Sequence, residues 1–107
     1  MRVLLKVTIP TETGNARIAD GSLPRTIESI LAEQKPEAAY FIEENGRRTG
    51  IVVLQMTDVS QLPEIAEPYF LAFGATVEVH PAMTIDDLKK AGPGIQRAVS
   101  NYATARV

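Results

Sequence analysis

Apolar and polar positions alternate with period two at the start of the chain. Over residues 3–9, Val3, Leu5, Val7 and Ile9 fall on one face and Leu4, Lys6 and Thr8 on the other, which predicts a strand ended by Pro10. Residues 11–35 read as helix with an interruption. Thr11 and Thr13 are candidate caps, and Gly21 and Pro24 split a short first helix from a second that begins near Ser22–Pro24. Ile27, Ile30, Leu31 and Gln34 then share one helical face, and Pro36 stops the helix. Two further alternating runs, about 38–44 and 49–56, flank Asn45-Gly46, a pair that tolerates the positive φ angles of a tight reversal and so predicts a hairpin. Asp58 or Ser60 caps the next helix, with Pro63 in its first turn, Pro68 weakening or kinking its middle, and Gly74 at its end. Its stripe is Leu62, Ile65, Ala66, Tyr69, Phe70 and Phe73. Residues 75–81 alternate again as a fourth strand.

Beyond residue 81 the chain reads as a helical tail. Thr84 with Asp87 three residues on resembles a capping box, and Asp86, Asp87, Lys89 and Lys90 complement the helix dipole. Gly92 ends that helix and Pro93 opens another, whose apolar face is Ile95, Ala98, Val99 and Tyr102. The order βα, hairpin, αβ is that of a ferredoxin-like βαββαβ unit. The expectation is an α+β single domain over 1–107, with a core at 1–81 and a helical tail at 82–107. Its four-stranded antiparallel sheet should run in the order 4-1-3-2, with both helical connections on one face. Antiparallel pairing of the first and last strands then sets Lys6 opposite Glu78 and places His80 near Leu4.

The second face of that sheet does not read as a wet one. Leu4, Ile51, Val53, Tyr40 and Ile42 add apolar side chains to it, whereas a half-solvated antiparallel sheet alternates cleanly with polar residues. The expected cover is a second copy of the chain, so the reading is a homodimer with sheets face to face. The tail helix lies over its own sheet or clasps the partner's.

Composition narrows the chemistry. The chain has 107 residues, no cysteine and one histidine, which excludes disulfides, thiolate catalysis, zinc–thiolate sites and multi-histidine metal sites within one chain. A net charge of −2 with no basic run longer than two residues argues against nucleic acid as a partner. No apolar run is long enough to span a bilayer, so membrane binding is not expected, and Lys6 interrupts the only stretch that imitates a signal peptide. A cytoplasmic protein is the expectation.

Three segments carry a resemblance: PEAAYFIEENGRRTG, IAEPYFLAFGATVEVHPAMT and DDLKKAGPGI. They resemble short, functionally uncharacterised bacterial proteins of the dimeric α+β barrel superfamily, in which two ferredoxin-like sheets pack by their open faces. Muconolactone isomerases and small antibiotic-biosynthesis monooxygenases share that architecture. No catalytic motif of theirs aligns here, and the fold alone implies no function.

The candidate catalytic residues are therefore His80, Glu78 and Tyr40. His80 is the one side chain whose ordinary pKa lies near neutrality, and its competing reading is a histidine hydrogen-bonded at a strand end or subunit contact. Glu78 beside Lys6 forms either a catalytic couple or a cross-strand ion pair that fixes register. Tyr40 can donate to a ligand oxygen. Tyr69, Phe70 and Phe73 can line an apolar pocket but read first as core. Arg47 and Arg48 can bind an anion but read first as a solvated turn. Gly92-Pro93-Gly94 lacks the pattern of a phosphate loop. Two functions follow. The first is a dimeric small-molecule-binding or interaction module, with a small hydrophobic ligand. The alternative is a cofactor-independent isomerase or monooxygenase-like enzyme acting on a small hydrophobic carbonyl compound. No cofactor and no metal are expected in either.

Overall fold

A computed structural model describes residues 1–103. The end of the expected helical tail, residues 104–107, lies outside the described residues. The fold is α+β, in the order β1 (Arg2–Thr8), α1 (Thr11–Ala19), α2 (Ser22–Gln34), β2 (Ala38–Glu44), β3 (Arg47–Gln55), α3 (Leu62–Phe73), β4 (Thr76–Pro81), α4 (Ile85–Lys90) and α5 (Gly92–Ala98). The four strands form one antiparallel sheet in the order β2-β3-β1-β4, as the sequence predicts.

Register follows from the alternation of β1. Val3, Leu5 and Val7 are buried, and their neighbours across the sheet are Leu54 and Val52 on β3 and Val77 and Val79 on β4. Leu23 and Ile30 of α2 and Ile65, Tyr69 and Phe73 of α3 complete this core, so these two helices cover one sheet face, and Gly14 of α1 lies over Arg48 at its hairpin end. A slip of one residue would turn every core side chain of β1 to the other face, which is why the pairing is so strongly specified. The expected pairs Lys6–Glu78 and Leu4–His80 are both present.

The punctuation residues act largely as their chemistry dictates. Asn45 and Gly46 take φ of 53° and 76°, the two successive left-handed residues of a two-residue hairpin that joins Glu44 to Arg47. Asp58 caps a single 3₁₀ turn (Val59–Gln61) that leads into α3, its carboxylate accepting from Ser60 N while Gln61 Oε1 accepts from Asp58 N. Thr84 and Asp87 form the reciprocal capping box of α4. Three expectations need correction. The cap position of α3 itself is held by Gln61 without a side-chain cap bond, so neither Asp58 nor Ser60 caps that helix directly. Pro10 holds the cap position of α1, so Thr11 and Thr13 lie inside that helix and cap nothing. The tail ends in an unforeseen π-type turn, Val99–Ala103.

The tail also does not lie over its own sheet. Ala82 N donates to Arg2 O as the chain leaves β4, and beyond it Ile85, Leu88, Ile95, Val99 and Tyr102 are all exposed. The radius of gyration, 18.3 Å, far exceeds the value of about 13 Å for a compact chain of this length, because the tail projects from the body.

Arg17 rivets the helical layer together. Its Nε donates to Ser22 Oγ at 3.0 Å, one terminal nitrogen donates to Thr26 Oγ1 at 2.7 Å, and the other donates to Ala72 O on α3. The guanidinium also lies 4.9 Å from the centre of the Phe73 ring. One cation thus ties α1 to α2 and α3. Replacing it leaves a half-buried carbonyl and two hydroxyls without their donor. Arg17→Ala should lower unfolding free energy by about 2–3 kcal/mol in urea titration, and a loss under about 0.5 kcal/mol would show that these bonds are exchanged for water at no cost.

Candidate functional site

The helix layer does not seal against the sheet everywhere. Near the hairpin end, α1 and the first turns of α2 stand off from β2 and β3 and leave a cavity of about 430 Å³. Its inner wall is core: Val7, Val52, Leu23, Tyr69 and Phe73, all buried. Its outer wall contains Ile18 of α1 and Phe41 of β2, which are 52% and 59% exposed and so mark the opening. Gly50 lies opposite Phe41 in the hairpin pairing, and a methyl group there would meet the Phe41 ring at 3.6 Å, an ordinary van der Waals contact. A volume of this size falls in the range of small-molecule sites.

Charged and polar groups sit at the edges of this space. Arg48 and Glu43 face each other across the hairpin and both line it. Both terminal nitrogens of Arg48 donate to Asn15 Oδ1 at 3.1 Å, and its side chain lies under Gly14, where a Cβ would come within 2.6 Å of one of those nitrogens. At the inner end, Tyr69 donates its hydroxyl proton to Gln34 Oε1 at 2.8 Å, and Gln34 Nε2 donates to Ile65 O at 2.8 Å. Burial pushes the Tyr69 hydroxyl up to about 12, because the phenolate would lose its water.

The residues singled out from sequence lie elsewhere. His80 and Glu78 stand on the sheet face turned away from the helices, with His80 Nε2 3.9 Å from Glu78 Oε1. Lys6 joins this group, 3.7 Å from Glu78, but its nearer partner is Glu44, reached diagonally from the end of β2. The hydrogen bond to Glu44 is the chief cause holding the Lys6 ammonium above its usual pKa. Glu44 was missed because pairing the first and last strands does not expose a diagonal contact from β2. Tyr40 shares the face and is 66% exposed, but its row runs Tyr40, Ile51, Lys6, Glu78. Three strand spacings of about 4.8 Å therefore separate Tyr40 from Glu78, and the three candidates do not converge within one chain. Phe70, read as a possible pocket residue, is 42% exposed and outside the cavity lining, whereas Tyr69 and Phe73 do line it. Among the described residues no cluster of three or more histidine or carboxylate groups is placed to hold a metal ion.

Comparison with known proteins adds little at the sequence level: no family model matches the chain, and no curated protein matches it. Among solved structures the chain is similar to a formyltetrahydrofolate deformylase from Pseudomonas putida KT2440, at 18% identity and a TM-score of 0.46 over 77% of this chain. The match takes in 29% of that protein's length, and a likeness of this extent carries no functional inference. Among the described residues no helix is long and apolar enough to cross a membrane.

The position of Tyr69 has a consequence for stability against pH. In the unfolded chain the phenol ionises near 10.0, whereas in the folded chain it keeps its proton to about 12. The stabilising contribution is therefore complete below pH 10 and declines as pH rises through the folded value. Urea midpoints of the native protein should fall more steeply between those values than midpoints of Tyr69→Phe. Parallel curves would place the phenol in contact with water.

Proposed function

We propose that the chain is a small-molecule-binding module of ferredoxin-like fold that works as a homodimer through its open sheet faces. The observation that carries the binding reading is the apolar cavity between the helices and the hairpin. A cleft of this size, floored by buried core side chains and open at Ile18 and Phe41, favours an apolar guest. The neutral fluorescent probe N-phenyl-1-naphthylamine should bind at one site per chain. Ile27→Trp, which places an indole in the cavity, should abolish the signal at unchanged stability. No uptake by the native protein, or uptake indifferent to Ile27→Trp, would overturn this reading.

Support for the dimer comes from the opposite face. Tyr40 and Ile42 are exposed, and Leu4, Ile51 and Val53 are only half-buried, beside a tail whose apolar side chains have no cover. Full burial of such side chains is worth about 1.5–3 kcal/mol each. A second copy supplies an identical apolar sheet face, and the projecting tail then clasps it. Light scattering at micromolar concentration should return twice the 11.6 kDa chain mass, and Ile51→Asp should reduce it to that of one chain. A native protein that scatters as a monomer would refute the dimer and leave the cavity reading untouched.

Turnover of a small hydrophobic carbonyl compound by His80, Glu78 and Tyr40 is less well supported, because the acid–base pair and the tyrosine are on the face opposite the cavity.

A further inference from the structure

We propose that the guest of the cavity is a small monocarboxylic acid with an apolar body, and that Arg48 holds its carboxylate at the mouth. The proposal rests on the binding reading above and specifies the chemistry of that site.

Arg48 is, among the described residues, the one lysine or arginine in the cavity lining. Arg2 is paired with Glu37 and Lys6 with Glu44, and Arg17 is occupied by three oxygens within the helical layer. Among the described residues no carboxylate lies within ion-pair distance of Arg48, although its side chain is half-buried and lines the cavity. Its two terminal nitrogens share one neutral acceptor, Asn15 Oδ1, so most of its five N–H donors remain without a protein partner. A planar guanidinium with donors to spare matches a carboxylate in two parallel bonds, stronger than bonds between neutral groups. Gly14 makes this seat possible. A side chain there would fall on the guanidinium, so the glycine lets α1 pass over Arg48 while its charge stays at the opening.

The remaining lining explains the rest of the ligand. Apart from Arg48, Glu43 and Thr49 at the hairpin end the walls are aliphatic and aromatic, which suits an uncharged body. Glu43 is the one carboxylate at the mouth. Its Oε2 accepts from Gly46 N at 3.1 Å, which turns it to the hairpin and away from Arg48. It opposes an anionic guest, and an acid binds in spite of it. A neutral polar ligand would gain nothing from Arg48 that water does not already give.

The test uses two probes of nearly equal shape, 1-naphthaleneacetate and its neutral amide, each displacing N-phenyl-1-naphthylamine from the full chain. The native protein should bind the acid at least tenfold more tightly than the amide. Arg48→Met keeps an apolar stem and should remove that preference while probe uptake persists. Gly14→Ala adds the methyl group that displaces the guanidinium, favours the helix, and should weaken acid binding alone. Glu43→Gln should tighten it. Equal affinity for acid and amide in the native protein, or a preference that survives Arg48→Met, overturns the proposal. Probe uptake without acid preference would leave the cavity as a site for neutral guests, whereas absence of any uptake would defeat the binding reading itself.

Discussion

The pairing of β1 with strands on both sides is the constraint from which the rest of this molecule follows. β1 is central, its backbone groups are satisfied by β3 on one edge and β4 on the other, and its side chains alternate between a dry face and an open one. Because the period is two, no intermediate register exists. Once Val3, Leu5 and Val7 face the helices, Lys6 must face away, and with it Glu78 and His80. The positions of the charged cluster and of the core are thus one decision.

The helices inherit an asymmetry from this arrangement. α2 and α3 press directly on the centre of the sheet, through Ile30, Tyr69 and Phe73. The short α1 carries little that is apolar, and polar bonds fasten it, from Arg17 to α2 and α3 and from Arg48 of β3 to Asn15. A helix held at two points by guanidinium bonds need not descend onto the hairpin strands along its whole length. The cavity occupies the space so left, between a layer fixed by polar bonds and a sheet fixed by backbone pairing.

The two faces therefore differ in what they offer. One holds a half-open apolar space with a cation at its rim, suited to a small guest. The other presents a broad row of apolar and oppositely charged side chains, suited to another surface of similar extent. Tyr40, Glu78 and His80 belong to the second, and three strand spacings keep the tyrosine from the acid–base pair within a chain.

Local chemistry in the sequence by itself determined most of the architecture. Alternation in β1, the Asn45-Gly46 turn, the Asp58 and Thr84 caps and the stops at Pro36 and Gly74 each act over a few residues, so they are legible without a structure. The antiparallel sum that joins Lys6 to Glu78 is equally legible, since register is arithmetic once strand ends are known. What only the tertiary structure decided depends on distances between elements. That α1 stands away from the hairpin, that Gly14 passes over Arg48, that Glu44 reaches Lys6 diagonally and that the tail projects from its own sheet all depend on where whole elements come to rest. Arg47-Arg48 read as a solvated turn because residues beside a hairpin tip usually are. The structure separates the two: Arg47 points to water and Arg48 to the cavity, because successive side chains of a strand leave by opposite faces and only one of those faces carries a helix above it.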